Sequence, residues 1–197
     1  MMIIKRLLRA TSSCLLLAAW KSLTNQRYVD GALLSAAFGF SIIGDRMLGY
    51  VTDGFLYGVA FFFVAHICYL LFCLHNGRIK KHFLLLFTSV YLIYYFMALK
   101  PAINDFSMKI AVLMYLLISC LSLSAACGLK LQKLRKRLFL GGISSLIFSD
   151  TLISANIYLH LSDLYFLMFP TYYASQILIT LSVIIENTQT EKVADPK

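Results

Sequence analysis

The chain has 197 residues, 60% of them hydrophobic, a mean hydropathy of +0.77 and a formal net charge of +9. Soluble domains run at roughly 45–50% apolar, so one soluble core cannot hide this much apolar surface, and the natural solvent of the chain is a bilayer. The basic residues stand between apolar runs rather than along one stripe, which fits a membrane topology and argues against a nucleic-acid partner.

In lipid the backbone must satisfy its own hydrogen bonds, which leaves helices or a closed barrel. Barrel strands alternate polar and apolar over roughly ten residues. Here the apolar runs are continuous and about twenty residues long, the length that a crossing helix needs. The expected fold is therefore an all-α, polytopic helical bundle with about seven spans, in one domain over residues 1–186, followed by a polar tail at 187–197.

In chain order, the first segment runs from about Ile3 to Trp20. Its basic start, Lys5, Arg6 and Arg9, followed by "CLLLAAW" resembles a signal peptide, but it has no clear cleavage site and reads as an anchored helix. The others are about Tyr28–Tyr50, Phe55–Leu74, His82–Leu99, Phe106–Leu129, Leu138–His160 and Leu164–Ile185. One side of the membrane then carries twelve basic residues: Lys21, Arg27, Arg78, Lys80, Lys81, Lys130, Lys133, Arg135, Lys136, Arg137, Lys192 and Lys197. The other carries six: Lys5, Arg6, Arg9, Arg46, Lys100 and Lys109. The richer side is expected to be cytoplasmic, with the C-terminus inside and the N-terminus outside. Arg135 to Arg137 read as a solvated loop facing the headgroups. The five cysteines, Cys14, Cys68, Cys73, Cys120 and Cys127, fall inside apolar runs and read as small buried hydrophobes without a disulfide or zinc framework.

A few ionisable and polar residues break the apolar runs. At a rise of about 1.5 Å per residue, Asp45 falls near the outer end of its span, and His66 and Asp150 fall midway along theirs. Tyr172, Tyr173 and Gln176 fall in the outer half of the last span. Four helices thus place polar groups at overlapping depths, the pattern of a shared polar pocket. Tyr172, Gln176 and Thr180 share one helix face, as do Asp150 and Ser154, and His66 and Tyr69 are three apart. Gly141, Gly142, Ser144 and Ser145 would let a neighbouring helix pack closely. Each feature has a plainer reading: membrane Ser and Thr usually bond their own backbone, Tyr172 and Tyr173 suit an interfacial belt, His66 suits packing, and Asp45 suits the interface. Asp150, an ionisable residue at mid-depth, is the hardest to read as structural.

Two carboxyls in one desolvated chamber cannot easily both ionise. One acid beside one carboxylate suits general acid and general base work on an acid-labile bond such as an enol ether, acetal or epoxide. Metal hydrolysis needs about three ligands, commonly His-rich, and of His66, His75, His82 and His160 only His66 lies at pocket depth. No metal and no cofactor is therefore expected. No G-x-S-x-G turn and no phosphate-cradling Gly-rich loop is present. Proton relays in transporters also use buried Asp and His, so a proton-coupled transporter or a non-catalytic membrane protein remains an alternative.

The stretch "GDRMLGYVTDGFLYGVAFFFVAHICYLLF", through Gly44, Asp45, Phe55, Gly58, His66 and Tyr69, resembles the lysoplasmalogenase (YhhN-like) family. "FSDTL", through Phe148, Ser149 and Asp150, and "PTYYASQILITLS", through Tyr172, Tyr173 and Gln176, are similar to its two later motifs. The resemblance covers about Lys5 to Ile185 and looks closer to the animal members. It implies an ether-bond hydrolase that splits the vinyl ether of a lysophospholipid, lysoplasmalogen, into a fatty aldehyde and a glycerophospho-ethanolamine or -choline. It implies catalytic roles for Asp45 and Asp150, one protonating the alkenyl carbon and the other positioning water. His66, Tyr69, Tyr172, Tyr173 and Gln176 would then bind and orient substrate. Membrane lipids are the implied surroundings, the endoplasmic reticulum is the implied membrane, and a homo-oligomer is compatible with the resemblance. The family norm is eight spans, so the first is expected to be missing here. Arg46 stands where relatives carry a small residue; beside Asp45 it would favour Asp150 as the acid.

Overall fold

Unbroken apolar composition over twenty-odd residues, with the polar residues gathered at the ends, makes helix the cheapest state for each segment in lipid. The computed structural model accordingly contains six long helices; it describes residues 11–12, 14–15, 17, 19, 28–50, 54–161 and 165–185. They are α1 (Tyr28–Tyr50), α2 (Phe55–His75), α3 (Lys81–Tyr94), α4 (Phe106–Cys127), α5 (Lys133–Leu159) and α6 (Tyr165–Ile184). Each has a stretch long and apolar enough to cross a membrane, the third counted with its continuation to Ala102. The expected count of about seven becomes six among the described residues, because most of the Ile3–Trp20 segment lies outside them. Within it, Thr11, Ser12, Cys14, Leu15, Leu17 and Ala19 are helical. The polar tail at 187–197 also lies outside the described residues.

Packing mostly joins neighbours in the chain, with long-range contacts added. α1 lies along α2, α3 along α4, α4 against α5, and α5 along α6, while α2 also packs on α4. Lipid gives helices no hydrophobic reason to associate, so close contact depends on small residues and polar links. Gly142 provides the first between α5 and α6: a Cβ there would stand 2.6 Å from Ile179 Cγ1 and 3.1 Å from the Ser175 carbonyl. The expected close-packing stripe therefore has α6 as its partner. Polar links supply the second. Ser122 of α4 donates to the His66 carbonyl of α2 (3.0 Å), and Ser149 of α5 donates to the Met168 carbonyl of α6 (3.0 Å).

α3 runs on through a π-turn at Tyr95–Leu99 into Lys100–Ala102. Pro101 lacks an N–H and its ring crowds the carbonyl four residues back, and a widened turn before it relieves both. At the opposite end, the α2–α3 and α4–α5 turns meet. Gly77 bridges Leu129 in antiparallel fashion, and Lys130 N donates to the Asn76 carbonyl at 2.9 Å. The basic turns at Arg78–Lys81 and Lys130–Lys133 thus share one end of the bundle.

Arg135 to Arg137 do not form a loop. α5 starts at Lys133, and Arg135, 3% exposed, sends its Nε to the Ser182 carbonyl at 2.7 Å. The last carbonyls of α6 have no intrahelical donor, and a guanidinium suits that negative end of the helix. This need outweighs the pull of the headgroups for Arg135, while Arg137 stays exposed.

Candidate functional site

The two carboxyls are each held by a tyrosine hydroxyl from another helix. Asp45 sits on the buried face of α1, and Tyr172 of α6 donates to its Oδ2 at 2.8 Å. Asp150 sits about two-thirds of the way along α5, and Tyr115 of α4 donates to its Oδ2 at 2.5 Å.

His66 joins the two regions. Its Nε2 stands 3.8 Å from Asp150 Oδ2, beyond direct hydrogen bonding but within an ion-pair distance. Its ring lies edge-on to Tyr115 (centroids 5.3 Å) and to Tyr69 (6.0 Å). The Phe62 ring, one helical turn earlier on α2, meets Tyr172 edge-on at 6.5 Å. Among the described residues, both nitrogens of His66 and the side-chain amide of Gln176 are buried without a hydrogen-bond partner. An unmet buried polar group costs about 1–3 kcal/mol, so this cluster calls for water or a polar ligand group.

A cavity of about 60 Å³ opens beside Asp150, room for a few water molecules. Its walls are almost wholly apolar, with Phe62, Leu48, Leu116 and Ile147 among them, and Asp150 and Tyr115 form a polar corner. Tyr91 and Tyr94 of α3 close over the same stretch of α5. Tyr91 meets the Thr151 hydroxyl at 3.1 Å and Tyr94 the Ser154 hydroxyl at 3.0 Å. Thr151 and Ser154 already donate to carbonyls of their own helix, so both tyrosines donate here.

Of the expected site residues, Asp150 alone is on the cavity wall. Asp45, His66, Tyr69, Tyr172 and Gln176 lie buried behind it. Tyr173 is half-buried and packs against the main apolar core. Arg46 is exposed whereas Asp45 is 8% exposed, so the two neighbours face different surroundings, as adjacent helix positions must. An Arg46 charge held against Asp45 therefore gives no reason to choose Asp150 as the acid. Tyr115 is the residue that sequence reasoning missed. It sits in the run "AVLMYLLISCL", and its only signal was a phenol at mid-membrane depth.

Fold and site together define a polytopic helical membrane protein with two carboxyls, each held by a tyrosine of another helix. The family model described as the YhhN family matches residues 5–183, and the chain belongs to that family. No curated protein and no solved structure matches the chain.

Proposed function

We propose that the protein is a membrane hydrolase that cleaves the vinyl ether bond of lysoplasmalogen, releasing a fatty aldehyde and a glycerophospho-ethanolamine or -choline. The observation that carries this reading is a carboxyl, Asp150, at the polar corner of an otherwise apolar cavity; a second, buried carboxyl, Asp45, is held by Tyr172, whose ring meets the cavity-lining Phe62. Family membership supports the same chemistry.

An enol ether is cleaved by protonation at carbon. Asp150, on the wall, acts as the general acid and delivers a proton to the alkenyl carbon remote from the ether oxygen. Positive charge then spreads over the other alkenyl carbon and the oxygen. The negative charge left on the carboxyl stabilises that oxocarbenium ion in a medium of low dielectric. Water adds to the oxocarbenium carbon and returns a proton to Asp150. The resulting hemiacetal parts into the aldehyde and the free glycerol hydroxyl. The apolar wall receives the alkenyl chain. On this reading Tyr172, which donates to Asp45, and His66, 3.8 Å from Asp150, orient the carboxyls, while Tyr69, Tyr173 and Gln176 serve substrate binding.

The test is aldehyde release from lysoplasmalogen by the purified protein in detergent or nanodiscs. Turnover is expected for the natural chain, together with its loss in Asp150→Asn. Undiminished turnover in both Asp45→Asn and Asp150→Asn would overturn the carboxyl mechanism. Proton-coupled solute uptake without lipid turnover would replace the hydrolase reading with a transporter.

A further inference from the structure

The hydroxyl of Tyr115 is tied to one oxygen of Asp150, and this fixes what the other oxygen can do. Oδ2 accepts the phenol at 2.5 Å and is also the oxygen that faces His66 at 3.8 Å. Oδ1 accepts no hydrogen bond among the described residues. Tyr115 is itself well fixed. Its ring is flanked edge-on by His66, and Ser119, one turn further along α4, donates to its carbonyl at 2.8 Å. Tyr115, Ser119 and Asp150 all border the cavity.

We propose that Tyr115 is a positioning residue for Asp150: it holds Oδ2 so that Oδ1 is the oxygen presented to a molecule in the cavity. On the hydrolase reading, on which the turnover part of this inference rests, Oδ1 carries the proton that goes to carbon. As that proton leaves, the carboxyl gains negative charge, and a hydrogen bond to a charged acceptor is roughly twice as strong as one to a neutral acceptor. The Tyr115 bond therefore tightens along the reaction. Interactions that strengthen only on the way to the transition state raise kcat and leave substrate binding alone.

The experiment uses the full chain in nanodiscs with three side chains at position 115: the native tyrosine, Tyr115→Phe, and 3-fluorotyrosine introduced at the same place. The series grades the donor from none to stronger than native while keeping the ring. The first readout is infrared. The Asp150 carboxyl band, assigned by its absence in Asp150→Asn, is expected to move in Tyr115→Phe and to move the opposite way with fluorotyrosine. A band that stays put in both overturns the proposal whether or not the protein has any turnover. The second readout is aldehyde release: Tyr115→Phe is expected to lower kcat about tenfold with KM within about twofold, and fluorotyrosine to restore or exceed the native rate. A loss confined to KM, or rates that ignore donor strength, overturns the positioning role. A native chain that shows the band shifts but releases no aldehyde overturns the hydrolase reading and supports the held carboxyl.

Discussion

The two carboxyl–phenol pairs are alike in chemistry and opposite in setting. Asp45 and Tyr172 face each other inside the bundle, 8% and 5% exposed, behind a wall that includes Leu48 and Phe62. Asp150 and Tyr115 belong to the wall, and the Asp150 side chain is 14% exposed. The same hydrogen bond thus closes a packed interior in one place and shapes an open corner in the other. The contrast teaches that two membrane-embedded acids with the same kind of partner need not be equally accessible; what separates them is that Asp150 borders a cavity and Asp45 is packed over.

The largest effect expected from this contrast is on turnover. Asp150→Asn removes the only carboxyl on the wall among the described residues and is expected to lower aldehyde release by roughly 10³-fold or more, within or beyond the usual range for a general acid. Asp45→Asn keeps the acceptor for Tyr172 and alters only charge behind the wall, so a loss of about 10- to 100-fold is expected. Steady-state kinetics on the two variants settle the ranking. Equal losses would mean that the wall is not the boundary between the two roles.

Stability should rank the pairs the other way. Tyr172→Phe strands a buried carboxyl with no water to replace the phenol, at a cost of about 1–2 kcal/mol, the upper range for hydrogen bonds between membrane helices. Tyr115→Phe leaves Asp150 beside a cavity that water can enter, and a smaller cost is expected. Reversible unfolding of both variants in mixed micelles measures the difference, and a larger loss in Tyr115→Phe would contradict it.

Phe62 lies between the regions and offers a smaller perturbation. It lines the cavity, meets Tyr172 edge-on, and packs against Gly44, where a Cβ would stand 2.9 Å from the ring. Gly44→Ala must push the ring aside. Modest overpacking of this kind costs about 1 kcal/mol. Displacement of Phe62 into the cavity should raise KM more than it lowers kcat, which steady-state kinetics on this one variant would show. A fall in kcat alone would mean that the ring yields toward Asp45 instead.

Much of this arrangement was legible in the sequence, because the bilayer enforces period and length. The spans at Tyr28–Tyr50 and Phe106–Leu129 match α1 and α4 within about two residues at each end. Asp45, His66 and Asp150 stood out because ionisable groups are costly at those depths. What was missed depended on tertiary contact. Tyr115 pairs with a residue 35 positions away, and a tyrosine in an apolar run gives no sign of whether its hydroxyl finds a partner. Arg135 read as a loop because a run of five basic residues in eight positions looks solvated; its true partner is a carbonyl on α6, 47 positions later. The division between wall and interior was also hidden, since depth along a helix follows from counting residues while the facing direction depends on which neighbour is packed where.

The smallest expected effect concerns how α3 closes over the cavity. α3 approaches α5 most closely at its π-turn, and above that point two hydroxyl pairs, Tyr91–Thr151 and Tyr94–Ser154, join them. Thr151 and Ser154 lie one and four positions after Asp150, so these links border the Asp150 corner of the cavity without touching its carboxyl. Hydrogen bonds between membrane helices average about 0.6 kcal/mol, because the separated helices find other partners. Tyr94→Phe should therefore cost about 0.5 kcal/mol in reversible unfolding, well below Tyr172→Phe. It should leave kcat within about twofold, because the Tyr115 link to Asp150 is on a different helix. A stability loss as large as that of Tyr172→Phe would show that the α3 face is as tightly held as the interior. The contrast between a closed core and an open corner would then have to be drawn at another seam of the bundle.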